Sequence, residues 1–287
     1  MSERLAARPL VIDMLHQISA ATSILPEKPK LVIIQAGKDP AADYYIDNLR
    51  RKGEQVGIVT ELKQYNQNLS PSGLFHELSI LNRDTGVHGI MVQKPLPAAI
   101  SEYEVSMAID PAKDVDGFHP FNLGNLMLGK KAMLPGTAAA VLELLNYYHI
   151  DTSGKNTVIL GRSNNVGKPL MNLLLQKNGT GNATVTVCHS YTKNITDLTR
   201  RAEIIIAAIG KPLFLTAEMI SAGVVIIDVG INQIRHPTRG EIYVGDVDYE
   251  GCFSKAAAIS PVPGGVGSVT TATLLRNVLQ AYKNRKQ

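Results

Sequence analysis

TVILGRSNNVGKPL, residues 157–170, is the stretch that decides the fold. Thr157 to Leu160 read as a strand, Gly161 and Gly167 bracket a turn, and the apolar residues beyond Pro169 read as a helix. In a unit of this kind, glycines let the backbone approach a phosphate. The helix N-terminus adds free N–H groups and the positive end of its dipole. The spacing departs from Gly-x-Gly-x-x-Gly, so a tight strand–helix turn with glycines for geometry alone is the plain alternative.

The same alternation extends on both sides. Short runs rich in Val and Ile occur at LVIIQA (31–36), VHGIMVQ (87–93), ATVTVC (183–188), AEIIIAAIG (202–210) and AGVVIIDVG (222–230). Near-continuous apolar strands separated by helix-length segments specify an α/β fold whose parallel sheet is covered on both faces. Helix starts are marked at Asp39-Pro40 and Ser70-Pro71, each a capping residue before a proline suited to the first helical position. Pro9 opens a helix to about residue 22, and a last helix runs from about Ser268 to Lys283. Residues 111–137, rich in Gly, Pro and Asn, read as a domain junction. The expected division is 1–120 with 266–287 as one domain and 121–265 as the other.

The 287 residues include 45% hydrophobic and 19% charged, ordinary for a globular protein. No apolar run reaches membrane-spanning length, and the N-terminus lacks a signal-peptide core. Two cysteines, Cys188 and Cys252, point to reduced thiols in a cytoplasmic protein, with neither a disulfide framework nor a metal cluster. The net charge of +4 owes much to NLRRK and the tail AYKNRKQ. Without interleaved aromatics such runs are solvated faces, and nucleic-acid binding is not indicated. A mildly positive surface does attract small anionic substrates and phosphorylated cofactors.

The strand after the glycine loop separates NADP from NAD. An NAD site carries an acid at that strand end for the ribose hydroxyls. Here the strand ends in His189-Ser190, and Arg162 sits in the loop. A cation with imidazole and hydroxyl donors suits a 2′-phosphate, so the expected cofactor is NADP; a surface arginine is the bland reading. Gly210 of AAIGKP and Gly230 of DVGIN end two further strands, where ligands line open α/β sheets or where plain turns occur.

GRSNNVGKP, VTVCHSYTKN, IIIAAIGKP, VVIIDVGIN, VGDV and PVPGGVGSVT follow one another in this order, preceded by VQKPLP and PAKDVDGFHP. Together they resemble the methylenetetrahydrofolate dehydrogenase/cyclohydrolase family of one-carbon folate metabolism, from about Gly37 to the last helix. The resemblance implies a folate domain completed by the C-terminal helix, a Rossmann-like NADP domain, a cleft between them and a cytosolic or organellar homodimer. It implies oxidation of 5,10-methylenetetrahydrofolate with NADP, followed by hydrolysis of the methenyl product to 10-formyltetrahydrofolate. Carried over by residue, the folate site has Tyr45 stacked near the pterin and Gln93, which normally positions a lysine. Asp116 pairs with the pterin's amide and amino groups, and Gly264 and Gly265 allow close backbone approach. Read from the residues alone, an aspartate capping the turn before Gly117 is the slightly favoured reading of Asp116, and the resemblance reverses it. The cofactor positions are Gly161, Arg162, Ser163, Val166, Gly167, His189, Ser190, Gly210, Gly230 and Ile231.

The chain departs from the family at its catalytic helix. The family has Tyr-x-x-x-Lys, an i, i+4 pair on one helix face; here the pair is Tyr45 and Leu49. Arg50 lies about 100° further round and is no simple replacement. The family's Gln-Leu-Pro is Gln93-Lys94-Pro95, its Pro-Cys-Thr-Pro is Pro135-Gly136-Thr137-Ala138, and its Gly-Val-Gly-Pro is Gly265-Val266-Gly267-Ser268. Lys94 either reaches in to replace the missing ammonium or points to solvent. Oxidation needs alignment and no proton removed from carbon. Hydrolysis needs proton management worth about 10²–10⁴-fold. The expected activity is therefore an NADP-dependent dehydrogenase with weak or absent cyclohydrolase. The alternatives are a full bifunctional enzyme with a substitute cation, a non-catalytic NADP/folate-binding homologue, and a dehydrogenase for another small substrate.

Overall fold

The computed structural model describes residues 2–236, 238 and 240–285. Met1 and the last two residues of the basic tail, expected in the folate domain, lie outside the described residues, as do Pro237 and Arg239. The chain divides into two compact units, one of Ile12–Gly136 with Thr271–Gln287, the other of Met1–Val11 with Thr137–Thr270.

Along the chain come β1 (Glu3–Arg4), α1 (Arg8–Ser23), β2 (Lys30–Ala36), α2 (Pro40–Gln55), β3 (Val59–Tyr65), α3 (Pro71–Arg83), β4 (Gly89–Val92), α4 (Glu102–Ala108) and α5 (Pro120–Met127). There follow α6 (Gly136–Tyr147), β5 (Asn156–Leu160), α7 (Gly167–Leu175), β6 (Thr184–Cys188), α8 (Ile195–Arg200), β7 (Ile204–Ala207), β8 (Val225–Asp228), β9 (Asn232–His236), β10 (Gly240–Val244), α9 (Tyr249–Phe253), β11 (Ala258–Ile259) and α10 (Val266–Arg285).

The first unit is built on a three-stranded parallel sheet in the order β3-β2-β4. Alternation along β2 sends Leu31 and Ile33 into a core with Ile46, Leu49, Leu275 and Val278, so α2 and α10 cover one face. Val32 and Ile34 enter a second core with Leu74, Leu78 and Val105, so α3 and α4 cover the other. Each buried Leu or Ile contributes about 1.5–3 kcal/mol, which is why β2 is apolar on both faces. The marked helix starts form as read: the Asp39 carboxylate accepts from Ala42 N–H and the Ser70 hydroxyl from Gly73 N–H, each with proline next.

The second unit carries a six-stranded parallel sheet, β1-β11-β8-β7-β5-β6. Val158, Leu160, Ile205, Ile226 and Ile259 supply much of its core. The antiparallel pair β9–β10 forms a separate two-stranded sheet.

The compact units divide the chain differently from the expected domains. The first eleven residues belong with the second unit, because β1 pairs with β11: Glu3 aligns with Ala258 and Arg4 with Ile259. The supposed junction of residues 111–137 is packed into the first unit. It contains α5, Asn122 donates to Asp114, and Met133 is buried in the core with Leu274. The last helix starts at Val266, two residues before the expected Ser268.

Candidate active site

In the first unit, the loop after β4 and the segment before α5 bring three of the expected residues within electrostatic reach. Asp116 is half-buried and carries no hydrogen bond among the described residues. Burial first, then the Asp114 carboxylate, pushes its acid up to about 7, and the Lys94 ammonium pulls it back. Tyr45 on α2 is half-buried against the core that holds Leu49. Burial, with Asp116 second, raises its phenol well above the ordinary tyrosine range.

The turn-capping role weighed for Asp116 belongs to Asp114. Its carboxylate is buried and accepts from the backbone N–H of Gly117, Phe118 and His119 and from the Asn122 amide. Those donors fix the loop that carries Asp116. Four donors on one carboxylate favour its charged form, although burial still raises the Asp114 acid overall.

Leu49 is fully buried, 0% exposed. Its neighbours are apolar: Ile18, Leu31, Ile33, Ile46 and Leu275 belong to the same cluster. Arg50 and Arg51 are exposed and Lys52 is half-buried. Lys94 is neither wholly in solvent nor free. Its ammonium donates to Glu102 Oε2 at 2.5 Å and lies 5.3 Å from the centroid of the Phe118 ring. The Gln93 side-chain amide donates to the Lys94 carbonyl at 2.7 Å.

In the second unit the glycine loop has the geometry of a phosphate cradle. Gly161 has φ +123°, and a Cβ there would stand 2.1 Å from the Ala208 carbonyl oxygen. A Cβ on Gly167 would stand 2.2 Å from the Gly161 carbonyl oxygen. Only glycine permits backbone this close. The N-cap of α7, Val166, offers no side chain to the first N–H groups, and the Ser163 hydroxyl accepts from Val166 N–H. Arg162 and Ser163 are exposed, and the Arg162 guanidinium lies 5.9 Å from the ring of Tyr191, just past His189 and Ser190. The basic group therefore stands beside the end of β6, where no acid competes. This cradle and donor set fit a dinucleotide carrying a 2′-phosphate.

Two buried aspartates that sequence reasoning passed over brace the neighbouring strand ends. Asp246 accepts from the N–H of Ile209 and Gly210 and from the Asn232 amide. Asp228 accepts from the N–H of Gly230, Asp246 and Val247, while its burial pushes its acid up to about 7. Gly230 is itself buried against Asp246, and Ile231 is 62% exposed. Gly264, with φ +100°, and Gly265 precede α10 and belong to the second unit, not to the unit that holds Tyr45 and Asp116.

Residues 5–116 match the catalytic domain of tetrahydrofolate dehydrogenase/cyclohydrolase, and residues 135–286 match the NAD(P)-binding domain of the same enzymes. The chain belongs to the tetrahydrofolate dehydrogenase/cyclohydrolase family. It is 49% identical over 280 residues to the bifunctional protein FolD of Chlorobium luteolum, covering 95% of each chain. Among solved structures it resembles the bifunctional FolD methylenetetrahydrofolate dehydrogenase/cyclohydrolase of Campylobacter jejuni, at 39% identity and TM-score 0.94, over 99% of this chain and 100% of that one. It also resembles the Trypanosoma brucei N5,N10-methylenetetrahydrofolate dehydrogenase-cyclohydrolase (FolD), complexed with NADP cofactor and inhibitor. That likeness is 32% identical with TM-score 0.93, over 100% of this chain and 99% of that one.

Within this family frame, sequence reasoning missed Asp114, Glu102 and Phe118 around the first-unit site. Asp114 was visible in the Asp-x-Asp-Gly spacing, since the earlier acid is better placed to reach the N–H groups of the turn. Glu102 follows Ser101, whose side chain caps α4, and nothing local ties it to Lys94. No helix among the described residues is long and apolar enough to cross a membrane.

Proposed function

We propose that this chain oxidises 5,10-methylenetetrahydrofolate to the methenyl form with NADP, and that it hydrolyses the methenyl product weakly or not at all. The observation that carries the second part is the full burial of Leu49 among apolar side chains. No ammonium rises from α2 one turn beyond Tyr45, and Lys94 already serves Glu102.

NADP, when bound, supplies the hydride acceptor. Arg162, with Ser163, His189 and Ser190, would bind the 2′-phosphate, and the uncapped N-terminus of α7 would take the diphosphate across Gly161 and Gly167. The Tyr45 ring would lie against the pterin and the Asp116 carboxylate would accept its paired N–H donors. Oxidation is driven by the lone pair of a folate nitrogen, so these residues need only bind and align. Hydrolysis must activate water and protonate a leaving nitrogen. A missing acid–base group there costs about 10²–10⁴-fold.

The test is one purified sample in two assays. NADP reduction with 5,10-methylenetetrahydrofolate is expected to be fast. Decay of methenyltetrahydrofolate absorbance is expected to track the uncatalysed rate. Hydrolysis accelerated as strongly as oxidation would overturn the second part; no reduction of NADP would overturn the first. The family resemblance further supports a homodimer working in the cytoplasm, which sedimentation and cell fractionation would check.

A further inference from the structure

Lys94 stands where the family pattern has leucine, and three separate segments meet at its ammonium. It belongs to the loop after β4. Glu102, at the start of α4, accepts from it at 2.5 Å. Phe118, two residues past Asp116, places its ring centroid 5.3 Å away. The neighbouring carboxylates are matched: Asp114 has four donors and Glu102 has Lys94. Among the described residues Asp116 has no hydrogen-bond donor, and it lies half-buried with a like charge beside it.

We propose that Lys94 is a positioning residue for folate recognition, its ammonium shared between Glu102 and Asp116 across the face of Phe118 so that the Asp116 carboxylate has a counter-charge when it takes the pterin's donor pair. The role rests on the reading that Asp116 meets the pterin. The charged and titratable groups that act on Asp116 are Asp114 from its own loop, Lys94 from the loop after β4, and Tyr45 from α2. Asp114 opposes ionisation of Asp116; among the described residues, Lys94 is the cation that favours it. Glu102, with 60% of its side chain exposed, competes for Lys94 and weakens that support. The aromatic face under the ammonium stabilises a cation held there. A leucine at position 94 would supply none of this.

The experiment follows the carboxyl carbons of the full-length protein by NMR with ¹³C-labelled aspartate, using Asp116→Asn to assign the Asp116 signal. In Lys94→Met the titration midpoint of Asp116 is expected to rise by roughly half a unit or more, in Lys94→Arg to stay near the parent value, and in Glu102→Gln to fall. Tetrahydrofolate binding by calorimetry near pH 7 is expected to weaken by about 3–10-fold in Lys94→Met and to be restored in Lys94→Arg, with the kinetic loss falling on KM more than on kcat. An unmoved Asp116 midpoint in Lys94→Met, in a protein that binds tetrahydrofolate, would overturn the proposal and leave the folate reading standing. A moved midpoint with no tetrahydrofolate binding at any pH would overturn the folate reading, and with it the recognition role. Glu102→Gln keeps Lys94 in place and supplies the same readout if Lys94→Met does not fold.

Discussion

Tyr45 and Leu49 lie one turn apart on α2, yet their side chains end in different media. Leu49 is sealed in the apolar core, while Tyr45 reaches the electrostatic field of Asp116. Leu49→Lys is expected to raise methenyltetrahydrofolate hydrolysis by about 10²-fold or more. The lysine must keep its ammonium out of the apolar layer, so some stability is lost. Leu49→Ala is expected to lose about 2–5 kcal/mol of stability with no gain in hydrolysis. Denaturant unfolding and the hydrolysis assay on both variants decide it; a Leu49→Lys protein that folds and stays inactive in hydrolysis counts against the reading.

Asp116 ties stability to pH with a definite sign. Its acid is ordinary, at 3.8, in the unfolded chain and held near 7 in the fold. A raised acid contributes stability that is complete below the unfolded value and is lost as pH rises through the folded value. The contribution of Asp116 therefore disappears between about pH 4 and pH 7. Asp116→Asn is expected to raise Tm at pH 8 by about 2 °C and to leave it nearly unchanged at pH 4. Equal Tm changes at both pH values would count against this assignment.

Asp114 is the opposite case, a carboxylate whose value is structural. Replacing it by alanine strands the N–H groups of Gly117, Phe118 and His119 and the Asn122 amide. The expected loss is about 2–4 kcal/mol in chemical denaturation. Folate affinity should fall too, because the same donors hold the loop that carries Asp116. A stable variant with normal affinity would show that the loop is held by other means.

Two glycines separate close approach from mere turn geometry. Gly161→Ala drives a methyl group into the Ala208 carbonyl at a φ that alanine avoids. It is expected to lose about 2–4 kcal/mol together with NADP binding. Gly210 has φ +70°, and a Cβ there would meet no atom within 4 Å, so Gly210→Ala is expected to cost only about 1–2 kcal/mol. Thermal shift with and without NADP distinguishes them, and equal losses would contradict the cradle geometry.

Arg162 provides the test of cofactor choice. Arg162→Ala is expected to weaken NADP binding by about 10–100-fold and to leave NAD binding within about twofold. Parallel loss of both would assign the arginine to the diphosphate instead of the 2′-phosphate.

The sequence displayed the parallel sheets well, because β2, β4, β5, β7 and β8 are buried on both faces and so read as unbroken apolar runs. The strand β3, VTELKQY, escaped notice because it is an edge strand with a half-wet surface. The hairpin β9–β10 was hidden for a related reason: its strands alternate between half-buried and exposed residues and join no larger sheet. At the candidate site, the glycine turn could be read from local pattern, while the roles proposed for Tyr45 and Asp116 come from family likeness. The pairing of Lys94 with Glu102 depends on where side chains point. No spacing rule carries that information.

The pairing of β1 with β11 joins Glu3 to Ala258 across nearly the whole chain. The other unit likewise waits for its last helix, since the Asn277 amide donates to the carbonyls of Val115 and Leu134. On the ribosome, then, the second unit cannot complete its sheet until β11 has emerged, and the first cannot close its core until α10 has. The nascent chain carries two unfinished cores until those elements appear, and losing α10 would strip Leu275 and Val278 from the first unit's core.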